Sequence, residues 1–143
     1  MTKKLFLVSV LLLAMVSFSR GQAITPGAKV YVAPMADSFD VYVSAALRKK
    51  DVPLVVVTSK DAADYILSGT SNSQKAGWAK IAFLGNIHSS EEASITLADV
   101  KTSVVVYAYN VNKGSSARGK QSTAEACAKH LKEEIEKGQK APK

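Results

Sequence analysis

One mixed β-sheet carrying two helices on a single face, in the order β-α-β-β-β-β-α, is the α/β (α+β) architecture to expect of this 143-residue chain. Three features point to it. Between residues 29 and 59 a β-branched run, a stripe of helical period and a second apolar run follow one another, the pattern of a βαβ unit. Between residues 91 and 111 two alternating runs lie close together, which signals a hairpin. An Ala-rich amphipathic stretch then closes the chain.

Residues 1–23 set the compartment. Lys3 and Lys4 precede the apolar run "LFLVSVLLLAMVSF", Leu5 to Phe18, and "SRGQA" follows with Gly21 and Ala23 spaced as a signal peptidase requires. That is the layout of a cleaved secretory signal. The run is short of the roughly 20 residues that span a bilayer. The sole cysteine, Cys127, is far from the cleavage point, so no lipid attachment and no stable membrane anchor are expected after cleavage. A mature chain beginning near Ile24, periplasmic or secreted, follows.

The rest divides into a single domain over 24–137 and a basic, disordered tail over 138–143, since about 120 residues suit one hydrophobic core. Lys3, Lys4 and Arg20 fall in the signal, leaving 16 basic residues against 12 acidic ones. Such a small excess, unclustered, suits a solvated surface and excludes a nucleic-acid reader.

Along the domain, "KVYVAPM" (29–35) reads as the first strand, closed by Pro34. Asp37 or Ser38 is placed to cap a helix whose stripe is Phe39, Val43, Ala46 and Leu47, with Arg48, Lys49 and Lys50 near the negative end of its dipole. Pro53 ends it. "LVVVTS" (54–59) is apolar throughout, as in a parallel strand buried on both faces. "YILSGTSNSQ" (65–74) is extended. "EEASITLAD" and "TSVVVYAYNV", separated by "VK", form the hairpin, with Ala93, Ile95 and Leu97 facing the core and Ser94 and Thr96 facing away. In the last helix Ala124, Cys127, Ala128, Leu131 and Ile135 share a face, which makes Cys127 a buried small hydrophobe. Leu131 and Ile135 should therefore meet Phe39, Val43 and Leu47.

Chemistry-bearing patterns are sparse. "NVNKGSSARGKQST" (110–123) holds G-x-x-x-x-G-K from Gly114 to Lys120, but Gln121 stands where a Walker A loop has its magnesium-binding hydroxyl, and no later strand supplies a second carboxylate. The loop retains a weaker reading: Lys113, Arg118 and Lys120 sit where a chain enters a helix N-terminus, a place that favours anions. The alternative is a solvated loop in which Ser122 or Thr123 caps the helix. His88 and His130 lack metal-ligand spacing. Asp37 with Asp40, and Asp61 with Asp64, are explained by helix starts. No serine lies in a nucleophile elbow. Neither an enzyme nor a cofactor is expected.

"KAGWAKIAFLGN" (75–86) is longer than a turn between two strands needs, and it places Trp78, Ile81, Phe83 and Leu84 there. Such a cluster either closes one end of the core or contacts a protein partner or another copy, Trp being a frequent interface anchor.

Taken together, "KVYVAPM" before a helix, "DAADYILSGT", and "ASITLADVKTSVVVYAYNV" ahead of an Ala-rich helix resemble the small α/β domain of the curli-secretion lipoprotein, the outer-membrane activators of penicillin-binding proteins and the amino-terminal domain of the Tol translocation protein. The chain looks still more similar to exported proteins of acidobacteria. In that group an Ala-Asp-hydrophobic strand ending in Gly, here Ala63, Asp64, Tyr65 and Gly69, precedes a hairpin turn of the form Asp-x-x-Thr-Gly. The turn here is Asp99, Val100, Lys101, Thr102 and Ser103, with Ser103 in place of Gly. The resemblance spans about residues 29–137 and implies a non-enzymatic envelope module that binds or assembles. An anion or nucleotide binder using the 113–120 loop is the alternative.

Overall fold

The computed structural model describes residues 22–74, 90–114 and 119–140. Five strands, β1 (Lys29–Val32), β2 (Val55–Val57), β3 (Tyr65–Gln74), β4 (Ser90–Asp99) and β5 (Val105–Gly114), and two helices, α1 (Phe39–Lys49) and α2 (Gly119–Lys140), follow in the expected order. The sheet runs β2-β1-β3-β4-β5. Strand β1 is parallel to both β2 and β3, and β3-β4-β5 is an antiparallel meander.

The core forms where the two helical stripes meet one sheet face. Phe39, Val43, Ala46 and Leu47 of α1 and Ala124, Cys127, Ala128, Leu131 and Ile135 of α2 are all buried, together with Val30, Leu67, Ile95 and Leu97 from the strands. The stripes are those expected from the 3.6-residue period, because a helix on a sheet buries one face only. Ile24, just after the expected cleavage point, is also in the core.

Strand β2 departs from its expected burial. It is an edge strand, and Val55 and Val56 are 51% and 38% exposed. A parallel strand is buried on both faces only when helices cover both, and here α1 and α2 lie on the same side. An apolar run could not reveal which neighbour would be missing.

The helix entries also differ from expectation. Asp37 and Ser38 both take left-handed backbone, φ 54° and 57°, and the N-cap Ser38 makes no side-chain cap bond. Instead Asp40 Oδ1 accepts the Met35 N–H at 3.3 Å, so the acid inside the first turn closes the bend. Helix α2 starts earlier than a Ser122 or Thr123 cap would allow. Thr123 lies within it, donating its hydroxyl to the carbonyls of Lys120 (3.0 Å) and Gly119 (3.3 Å), and Ser122 accepts from Lys113 Nζ. The helix continues to Lys140.

The hairpin turn is wider than "VK". Asp99 Oδ1 accepts the N–H groups of Lys101 (2.9 Å) and Thr102 (2.8 Å) and the Thr102 hydroxyl (3.0 Å). These bonds, the Thr102 N–H first, hold the Asp99 carboxyl below its usual range. The Asp99 N–H donates to the Val104 carbonyl at 2.9 Å, which closes the loop. Ser103 has φ 58°, the left-handed conformation that glycine adopts without penalty. Gly69 does not end its strand; an added Cβ would press on the Ser94 carbonyl and lie 3.2 Å from Ile95 Cγ2 and 3.3 Å from Met35 Sδ.

Candidate functional site

With both helices on one side, the opposite sheet face has no layer over it among the described elements. Side chains alternate along a strand, so the neighbours of buried Val30, Leu67 and Leu97 point to that second face. Successive partners across the ladder there are Val57, Tyr31, Ile66, Ala98 and Val105, one from each strand. Every member is apolar or aromatic, Val105 is 56% exposed, and Val55 adds to the row at the edge. A bulge between Leu97 and Ala98 turns Val105 outward into register with Ala98 and leaves Val106 as the extra residue. Further along, the face becomes polar: Thr70 and Ser94 hydroxyls bond at 2.9 Å, and the Asn110 amide donates to Glu92 at 3.2 Å. The apolar row was missed in the sequence because it joins residues of five strands at different sequence positions; only register aligns them.

Of the residues singled out in sequence, Trp78, Ile81, Phe83 and Leu84 lie outside the described residues, as does Arg118. Lys113 and Lys120 are not brought together. Lys120 Nζ reaches back to the turn ahead of α1, 3.2 Å from the Asp37 carbonyl and 3.6 Å from its carboxylate. Lys113 Nζ donates to Ser122 Oγ at 3.2 Å. Arg48 lies in the last turn of α1, while Lys49 and Lys50 clamp Glu125 of α2 at 2.7 and 3.3 Å, so the charges at the end of α1 serve to join the helices. Those bonds, Lys49 first and then Gln121, pull the Glu125 pKa down to about 2.

Cys127 is buried and its thiol is pushed up to about 11 by desolvation, so it stays protonated and unreactive at neutral pH. His130 stacks on Tyr109 with ring centroids 4.4 Å apart, and its Nδ1 lies 3.2 Å from Glu133. Tyr109 in turn stacks against Tyr107 at 6.5 Å. The Tyr107 hydroxyl is buried with no hydrogen-bond partner among the described residues, and burial raises its pKa. Asp64 Oδ2 accepts the Lys29 N–H at 2.8 Å, tying β1 to the start of β3, a structural duty. Among the described residues no group of acids, histidines or cysteine is arranged to hold a metal, and no helix is long and apolar enough to cross a membrane.

No protein-family model matches the chain, and no curated protein matches it. Solved structures do share the fold. The PelC dodecamer from Paraburkholderia phytofirmans is 20% identical, with 79% of this chain and 92% of that one covered at a TM-score of 0.53. A point variant of the same dodecamer gives 19% identity, 80% and 94% coverage and a TM-score of 0.57. TolB from Acinetobacter baumannii is 11% identical, covering 83% of this chain and 30% of TolB at a TM-score of 0.49. At these identities the likeness is one of fold alone: a small mixed-sheet α+β domain.

Proposed function

We propose that the protein is a non-enzymatic assembly module of the cell envelope, periplasmic or secreted, and that it works as a homo-oligomer joined through the helix-free sheet face. The carrying observation is the unbroken apolar row Val57, Tyr31, Ile66, Ala98 and Val105 across the ladder. Five strands about 4.8 Å apart make a face roughly 24 Å wide. Two such faces packed as in a β-sandwich would bury on the order of 1,000 Å² in total, the lower bound of a specific interface. A second copy fits this face because the row from Val57 to Val105 is apolar throughout and hydroxyl-lined further along, with a charge, Lys29 opposite Val55, only at its margin. Supporting the reading, the fold occurs in PelC as a dodecamer.

The same proposal takes residues 1–23 as a cleaved signal and 24–137 as the single domain, with α2 running on to Lys140, no stable membrane anchor after cleavage and no nucleic-acid partner. It assigns Trp78, Ile81, Phe83 and Leu84 to a second protein contact, and it places the chain near the acidobacterial exported proteins it resembles. Light scattering coupled to size exclusion tests the central claim. The purified protein should run as an oligomer, and Ile66→Glu should run as a folded monomer with an unchanged far-ultraviolet spectrum. A wild-type protein that is monomeric at 100 μM (an order-of-magnitude ceiling, about −5 kcal/mol of association) would overturn it.

A further inference from the structure

On the helix side, away from the row just described, the edge strand β5 and helix α2 enclose an open cleft of about 280 Å³. Lys50 enters from the end of α1, Lys113 from β5 and Lys129 from α2, with Ser122, Tyr109 and His130 completing the lining. The cleft's carboxylate, Glu125, is already held by Lys49, Lys50 and Gln121 at 2.7, 3.3 and 3.0 Å. Lys129 has Glu133 only at 3.8 Å, and its own side chain is largely solvated. Lys113 differs from these. It is half-buried on the core-facing row of β5, beside Val111 and close enough to Cys127 to act on its thiol. Its sole described partner is the Ser122 hydroxyl, a neutral acceptor at 3.2 Å.

A partly buried ammonium bonded only to a neutral oxygen is costly unless an anion compensates it. Lysine ammoniums recognise phosphate as point charges, and a hydroxyl beside them donates to an oxyanion. We infer that this cleft is a binding site for a phosphate-type oxyanion, held by Lys113 and Ser122 with Lys50 and Lys129 at its rim. The site is distinct from a helix N-terminal loop site: Lys120 points to Asp37 instead and takes no part.

The test is a nitrogen-15 amide titration of the purified protein with inorganic phosphate at constant ionic strength, sulfate-free chloride serving as control. Saturable shifts centred on Lys113, Ser122 and Ala126 are expected. Lys113→Met should weaken binding at least tenfold, and Lys120→Met should leave it unchanged. Should Lys113→Met fail to fold, the double variant Lys50→Met with Lys129→Met, one position half-buried and one exposed, carries the same expectation. Vesicles of phosphatidylcholine with phosphatidic acid form the second arm: displacement of protein from them by free phosphate places a lipid headgroup in the same cleft, and retention on free phosphate without vesicle binding assigns the soluble ion. Absence of saturation by phosphate, or equal loss in the Lys113 and Lys120 variants, overturns the inference. Oligomeric state plays no part in these readouts, so this site and the assembly face fail separately.

Discussion

Gly69→Ala adds one carbon where the neighbouring strand leaves no room for it. Gly69 pairs with Ile95 on the core face of the central strands. Its added Cβ would press on the carbonyl of Ser94 and sit 3.2 Å from Ile95 Cγ2 and 3.3 Å from Met35 Sδ. Met35 can swing aside because its thioether is flexible. The Ser94 carbonyl cannot, being backbone of β4, a strand paired on both sides. Overpacking of this kind costs about 1–3 kcal/mol. Against it, alanine restricts the unfolded chain and returns about 0.4–1 kcal/mol. The balance is a loss of about 1–2 kcal/mol, or a fall in Tm of roughly 4–8 °C for a domain of this size. Urea unfolding followed by circular dichroism, with Ser68→Ala on the exposed side of the same strand as reference, measures it. A Gly69→Ala protein as stable as wild type, with unchanged m-value, would show that β3 and β4 separate freely and that the close approach does not constrain the sheet.

The remaining predictions address the turn, the core and the charged clamp. Ser103→Gly should raise Tm, because the left-handed φ of 58° costs an L-residue about 1–2 kcal/mol and the extra unfolded-chain entropy of glycine offsets only part of that; an unchanged or lower Tm by calorimetry would contradict it. Leu131→Ala, at a fully buried position, should lose about 2–5 kcal/mol in denaturant unfolding, and a loss under about 0.5 kcal/mol would mark α2 as peripheral. Glu125 has its pKa lowered from 4.5 to about 2, so its stabilisation is complete above pH 4.5 and disappears as pH falls through 2. Glu125→Gln should therefore be less stable than wild type at pH 7, by up to about 1 kcal/mol for a surface clamp, and the two stability curves should converge between pH 4.5 and 2; parallel curves would contradict the assignment.

The order of elements, the two buried helical stripes and the inward row Ala93, Ile95 and Leu97 were legible because each follows from local periodicity, and a period of 3.6 or 2 is a property of neighbouring residues. The turn at Asp99 was legible only in part: the alternating runs put it at "VK", while the bonds that widen it join Asp99 to residues two and three further on. What the sequence could not decide is everything that depends on which elements become neighbours. An apolar "VVV" is the same string in a central strand and at an edge, and only the placing of both helices on one face left Val55 and Val56 exposed. Lys113 and Lys120 are seven positions apart, yet they diverge because Asp37, 83 residues away from Lys120, captures one of them. The outward row from Val57 to Val105 and the cleft gathered from Lys50, Lys113 and Lys129 exist only after strand register and helix packing have brought distant segments side by side, since side-chain chemistry at a distance in sequence carries no information on distance in space.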